Sequence, residues 1–238
     1  MSNVHVIIPA AGHGSRLGQS IPKQFTRIGD KTILEYIEAV FARTQSIESV
    51  FIALNPKEKI IANGSYQFSN KTTILYTGGE SRAQTVLSSL LEINKQIDEN
   101  DWVMVHDAAR IGITEFMINQ FIREVSTNKV GGIVAIPVTD TVKKINKKLE
   151  VIGTEDRDVL WLAQTPQMFR NKILKKALKN FQGTPTDEAE AVEALGLKPK
   201  LFKGNAQNFK ITYPEDLVRA QNALHTVSYT HLTLPTKA

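Results

Sequence analysis

The sequence contains no cysteine. Disulfides, thiolate metal sites and cysteine nucleophiles are therefore all excluded, and the composition suits a reducing compartment, so the cytoplasm is the expected location. No apolar run approaches the roughly 20 residues needed to cross a bilayer. The N-terminus enters a β-rich run without the charged and apolar regions of a signal peptide. No repeat of 20–50 residues and no long low-complexity segment interrupts the chain. Aromatic residues make up only 7% and are not interleaved with the lysines at 143, 144, 147 and 148. Nucleic-acid binding through base stacking therefore has no support there, and those lysines read as a solvated face.

What remains is an ordinary globular composition, 42% hydrophobic and 22% charged, with a net charge of +5 that suits an anionic small molecule. Strand-like runs at Val4–Ile8, Val50–Leu54, Thr72–Tyr76, Trp102–His106 and Ile133–Ile136 alternate with helical patterns at 33–43, 82–93 and after a Thr114 cap. This alternation predicts an α/β fold: three layers, a mostly parallel twisted sheet with helices on both faces. Residues 138–158 break the rhythm. Two short strands, Thr141–Ile145 and Leu149–Ile152, read as a β-hairpin arm whose apolar residues are too few for a core of its own, and such an arm suits a homodimer. Helices are expected at 171–181, 186–195 and 214–225, with a short strand at Lys200–Phe202. Residues 1–227 form one domain on this reading, and 228–238 read as a non-native or disordered tail that continues no helix.

Ligands of such sheets bind beyond the carboxyl ends of the strands. There the first strand gives way to PAAGHGSRLGQSIPKQ, with Gly12, Gly14, Gly18, Arg16 and Lys23. Two phosphate-binding motifs are absent. Gly18 stands one residue too far for a dinucleotide G-x-G-x-x-G, and the second strand ends Ala53-Leu54-Asn55-Pro56 without the ribose-binding acid. A P-loop needs Gly-Lys-Ser/Thr, whereas Lys23 follows Pro22. Nucleotidyl transfer remains: a glycine loop wraps a triphosphate and fixed cations meet the charge of the transition state. HDAAR at 106–110 and Gly78-Gly79 also lie at carboxyl ends of strands.

The stretch PAAGHGSRLGQSIPKQF resembles the N-terminal motif of 2-C-methyl-D-erythritol 4-phosphate cytidylyltransferases. The likeness continues, in order, through GGESRAQTV, VHDAAR, PVTDTVK, LAQTPQMF, TDEAEAVEALG and NFKITYPEDL, and so spans residues 3–226. Ribitol-5-phosphate cytidylyltransferases are similar overall but usually carry Gly-Gly where Ala10-Ala11 stand, which favours methylerythritol phosphate. The resemblance implies a Mg²⁺-dependent transfer of the cytidylyl group from CTP. It implies CTP contacts from Pro9, Ala10, Ala11, Gly12, Gly14, Gly79, Glu80, Thr85, Ala108 and Arg110, and catalytic roles for Arg16, Lys23 and Lys210. It implies Mg²⁺ at Asp107, and acceptor contacts from Thr141, Arg157, Thr165 and Lys210, with Thr141 and Arg157 supplied by the partner subunit.

A hard cation on phosphate oxygens needs only one or two carboxylates, so a lone Asp107 suffices. The adjacent His106 points to the opposite face by strand alternation and is a poor Mg²⁺ ligand. Three departures stand out: Ile111 where proline is usual, and Glu80 and Thr85 where aspartate and serine are common. Glu188, Glu190 and Glu193 read as an exposed helical face capped by Thr186. A non-catalytic nucleotide- or RNA-binding protein is the alternative of another class, and the joint presence of Arg16, Lys23, Asp107 and Lys210 argues against it. An attacking phosphate is already ionised near neutral pH, so no general base is required.

Overall fold

The computed structural model describes residues 2–12, 21–58, 61 and 66–230, with side chains as far as Ala223. Its first half runs β1 (Val4–Pro9), β2 (Arg27–Ile28), β3 (Lys31–Thr32), α1 (Ile33–Arg43), β4 (Ser49–Ala53), β5 (Thr72–Leu75), α2 (Arg82–Glu92) and β6 (Trp102–Val105). The second continues through β7 (Arg110–Ile111), α3 (Glu115–Val125), β8 (Gly131–Pro137), β9 (Val142–Ile145), β10 (Val151–Glu155) and β11 (Trp161–Arg170). It closes with α4 (Asn171–Asn180), α5 (Glu188–Glu193), β12 (Lys200–Lys203), β13 (Phe209–Lys210) and α6 (Pro214–Thr230).

Seven strands form one sheet in the order β12-β8-β11-β6-β1-β4-β5. Strand β1 pairs in parallel with β4 and β6, as β4 does with β5 and β8 with β12. Alternation along β1 sends Val4, Val6 and Ile8 to one face and Ile7 to the other. The first face is covered by α1, α3 and α6 through Ile37, Phe41, Ile118, Phe121 and Ala220. The second is covered by α2, α4 and α5 through Val86, Leu90, Leu174, Ala177 and Val192. Fully buried Phe41, Phe121 and Phe169 each contribute roughly 1.5–3 kcal/mol of transfer free energy. The three-layer, mostly parallel architecture follows the expectation.

Strand β11 does not. It lies antiparallel between β6 and β8, and the sequence pattern gave no strand there. Pro166 has no N–H to give to a ladder, and the pairing with β8 is interrupted between Ala163 and Gln167. The proline and the polar Gln164 and Gln167 hide a strand that sits mid-sheet. The two-residue ladder of β7 with β13 was also not foreseen.

The hairpin arm is present as β9 and β10, shifted by up to three residues from the expected strands. Asn146 closes its turn, its side-chain oxygen accepting from the amides of Lys148 and Glu150, and Leu149 takes a left-handed φ of 63°. Lys143 donates to Thr154 and Lys144 pairs with Glu155 across the arm. Thr114 caps α3 as expected, by accepting from the Met117 amide. Helix α5 is capped by Asp187 rather than Thr186, because the Thr186 amide and hydroxyl both donate to the Glu190 carboxylate and leave Thr186 outside the helix. Helix α6 runs to Thr230, three residues beyond Val227, so Ser228-Tyr229-Thr230 does continue a helix. No glycine or proline stands in that stretch to stop it. Residues 231–238 lie outside the described residues.

Candidate active site

At the carboxyl ends of β1 and β6 lies a cleft of about 580 Å³. Pro9, Ala10, Ala11, Gly12, Lys23, Gly79, Glu80, Thr85, Asp107, Ala108 and Lys210 line it, as do Gln24, Asn55, Ser81, Arg82 and Ala109. A shallower hollow continues past Asn55, Pro56, Lys57, Gly78 and Gln84.

Its first wall is the chain leaving β1. The Ala10 amide donates to Ala53, and the Gly78 amide to Leu54. A Cβ on Gly78 would stand 2.5 Å from that of Ala11 and 2.8 Å from the Leu54 carbonyl, so only glycine lets the two loops meet. The turn Lys23–Phe25 is pinned by buried Phe25, whose ring meets Tyr66 edge-on at 5.7 Å. Buried Gln24 then donates through Nε2 to the carbonyls of Ala10 at 2.7 Å and Gly12 at 2.9 Å. The loop's entry and the turn carrying Lys23 are thereby one unit. Lys23 Nζ donates to the Ile211 carbonyl at 3.0 Å.

The second wall is the start of α2. Ser81 caps the helix by accepting from the Gln84 amide. Thr85 is all but buried. Its hydroxyl accepts from the Gly79 amide at 3.0 Å and donates to the Ser81 carbonyl, so it shapes the Gly79 turn.

Asp107 forms the floor, one residue beyond inward-facing His106. Its Oδ1 accepts from Arg82 Nε at 2.8 Å, and its Oδ2 from Lys210 Nζ at 2.9 Å. Burial opposes its charge, but Arg82 and Lys210 hold the carboxyl well below the usual range. Arg82 in turn donates twice to fully buried Glu188. Burial works against the guanidinium too, yet Glu188 and Asp107 hold it protonated above the ordinary arginine range. His106 is enclosed between the Arg110 carbonyl, the Thr165 hydroxyl and the ring of Phe41. Burial lowers its pKa to about 4, so it is neutral and faces away from the cleft.

The cleft thus gathers most of the expected residues, with four exceptions in place. Arg110 is turned inward. Nη1 donates to the Asn208 carbonyl, and its buried Nε finds no partner among the described residues. Thr165 is buried behind the floor, where its hydroxyl accepts from the Asp107 amide at 3.1 Å. Thr141 and Arg157 are exposed near the arm and do not line the cleft, and Arg157 donates to the Thr139 carbonyl. Arg16 and Gly14 lie outside the described residues.

Glu188 corrects the expected acidic face. Glu193 is exposed, but Glu188 is fully buried because Arg82 lies over it. Arg82 and Gln24 were passed over although both stand within recognised motifs. Their signal was position alone: Arg82 opens a helix at a strand-end loop, and Gln24 follows Lys23 on a rigid turn.

Residues 4–226 match the sequence profile of 2-C-methyl-D-erythritol 4-phosphate cytidylyltransferases. The chain belongs to this family. A relative from Nitrosospira multiformis with that name is 41% identical over 225 residues, covering 93% of this chain and 97% of that protein. One from Chromobacterium violaceum is 41% identical, covering 92% and 96%. Among solved structures, a 4-diphosphocytidyl-2C-methyl-D-erythritol synthase superposes with a TM-score of 0.82 at 32% identity, over 94% of this chain and all of that one. The Francisella tularensis cytidylyltransferase gives 0.78 at 34% identity, over 93% of this chain. Family membership makes the chain a cytidylyltransferase, a nucleotidyl-transferring enzyme.

Proposed function

We propose that this enzyme transfers the cytidylyl group of CTP to 2-C-methyl-D-erythritol 4-phosphate, a step of non-mevalonate isoprenoid synthesis, and releases pyrophosphate. The observation that carries this reading is the charged floor of the cleft, where Lys210 and Arg82 flank an ionised Asp107 and Lys23 stands on the facing wall.

In the reaction an acceptor phosphate oxygen attacks the α-phosphorus of CTP. A new P–O bond forms, the bond to the bridging oxygen breaks, and its electron pair leaves with pyrophosphate. No proton need be removed from the nucleophile. Lys23 and Arg16 offset charge on the triphosphate as it becomes pentacoordinate. The backbone of Ala10, Ala11 and Gly12, with Gly14, wraps the phosphates. Gly79 and Glu80 border the hollow that receives the pyrimidine, with Thr85 shaping the turn.

Lys210 meets the acceptor phosphate, as do Thr141 and Arg157 donated by a second copy. Thr165 acts from behind by fixing the Asp107 backbone. Arg110, directed to Asn208, supports the β7–β13 ladder on which Lys210 rides.

A deprotonated carboxylate beside a phosphate site fits Mg²⁺, which takes one or two carboxylates and completes its shell with phosphate oxygens and water. When bound at Asp107 the ion would neutralise phosphate charge.

The arm supports a homodimer. Ile145, Leu149, Val151 and Ile152 are each at least 50% exposed there, and Val159 and Leu162 follow close by. The arm belongs to one domain that closes with α6 (Pro214–Thr230). No helix among the described residues is long and apolar enough to cross a membrane. The enzyme works in the cytoplasm, the compartment of its charged substrates.

The test is pyrophosphate release on mixing CTP and Mg²⁺ with each acceptor in turn. Release with methylerythritol phosphate is expected. Release with ribitol 5-phosphate alone would reassign the acceptor, and nucleotide binding without release would make the protein a non-catalytic binder. A monomer in analytical ultracentrifugation would overturn the composite site.

A further inference from the structure

Arg82 occupies an unusual position, with one guanidinium spanning two carboxylates that come from distant parts of the chain. Nε donates to Asp107 Oδ1 at 2.8 Å, while Nη1 and Nη2 donate to Glu188 Oε1 and Oε2 at 2.7 and 3.0 Å. Glu188 has no accessible surface and does not line the cleft. A buried ion pair is weak support for stability, since an apolar pair of similar volume does as well or better. Glu188 therefore calls for another explanation.

The frame around it is closed. Gln167 of β11 donates to Asp187 at 2.8 Å and accepts from the Ala189 amide at 2.9 Å, which fixes the turn bearing Glu188. Gln167 also pairs with Val105 of β6, two residues before Asp107. Strand, helix and arginine thus form a ring that returns to the same carboxylate. Lys210 is held differently. Its ammonium meets Asp107 Oδ2 at 2.9 Å, on a side chain that is 39% exposed.

We propose that Glu188 is a positioning residue: by clamping Arg82 across Asp107 it keeps Oδ1 permanently engaged and presents Oδ2 alone, now shared with Lys210, to the cation and phosphates that enter the cleft. The assignment rests on the cytidylyltransferase reading. It requires arginine at 82, because a lysine has no planar fork to satisfy both carboxylates at once. It also gives Lys210 two stations. The lysine meets Asp107 Oδ2 at one station and turns to the acceptor phosphate at the other when Oδ2 is taken.

The test is Glu188→Gln, which keeps the shape and removes the charge. The KM for CTP is expected to rise about tenfold, with the acceptor KM within about twofold. Mn²⁺ affinity of the protein–CTP mixture, read by electron paramagnetic resonance, falls by a similar factor. Arg82→Lys behaves alike, and the double variant is no worse than Arg82→Lys alone, as expected when one residue acts through the other. Unchanged CTP KM and Mn²⁺ affinity in a folded Glu188→Gln protein, or additive losses in the double variant, would overturn the proposal.

Should Glu188→Gln not fold, the wild-type protein decides. The Arg82 Nε–H resonance should stay protected from water exchange both alone and with Mg²⁺ and CTP, and rapid exchange in either state refutes the clamp. A wild type that releases no pyrophosphate with either acceptor would instead defeat the functional reading, and the resonance would still judge the clamp.

Discussion

Gln24→Leu isolates what one buried amide does for the nucleotide loop. Leucine nearly matches glutamine in volume, so packing beneath the loop is kept while two donors to Ala10 and Gly12 are lost. Each net hydrogen bond is worth about 1 kcal/mol, and a buried acceptor left unpaired costs about 1–3 kcal/mol more. Gly12 is exposed and its carbonyl can turn to water, but Ala10 is buried. With the low end of that penalty taken for Ala10, the sum is about 3 kcal/mol. For a chain of this size that lowers Tm by roughly 6–12 °C. If about 1.4 kcal/mol of the loss falls on the nucleotide-holding shape of the loop, the KM for CTP rises about tenfold. The acceptor KM stays as it was, since Lys210 is positioned from β13. Calorimetry and initial-rate kinetics measure both effects. A Tm within 2 °C of wild type (roughly the shift of under 1 kcal/mol) together with an unchanged CTP KM would refute the reasoning.

Lys23→Ala and Arg16→Ala should each lose about 3 kcal/mol of transition-state stabilisation, on the order of 100-fold in kcat/KM; near-normal turnover in either would remove it from the mechanism. Arg157→Ala should raise the acceptor KM with little effect on CTP, and mixing it with an inactive Lys23→Ala protein should restore activity if the site is shared between copies. His106 predicts a pH effect on stability. Burial lowers its pKa to about 4 from 6.5, so on acidification the unfolded chain takes up this proton first. Stability therefore falls between pH 6.5 and 4, by about 3 kcal/mol from this group, and is recovered above pH 6.5. An imidazole proton resonance of His106 titrating near pH 6.5 in the folded protein would contradict this.

The parts of the fold that were legible in the sequence are those governed by local periodicity. Val4–Ile8 is a nearly unbroken apolar run because each face of the sheet has its own core, and the helices at 33–43 and 115–125 repeat at 3.6 residues because each buries one stripe. The cap at Thr114 stands where a short polar side chain meets the first orphan amides, whereas those at Thr32 and Ser81 were not read from the sequence. Strand β11 was not legible, because its proline and glutamines serve a bulge and a buried network rather than a plain ladder. The direction of Arg110 was hidden for a similar reason. Its partner is the Asn208 carbonyl, 98 residues away.

By itself the order of motifs determined the kind of chemistry: a glycine loop, fixed cations and a lone carboxylate, all placed at strand ends by connections that local rules describe. Tertiary structure alone decided how the charges are shared. Asp107 meets an arginine 25 residues earlier, and that arginine meets a glutamate 106 residues further on. Such pairings depend on which strand lies beside which, and no local pattern encodes that β11 slots between β6 and β8 and carries α5 up beneath the cleft. The free energy of a buried charge depends on its three-dimensional surroundings, so the same glutamate that reads as solvated on a helical wheel becomes, once enclosed, the anchor of the site.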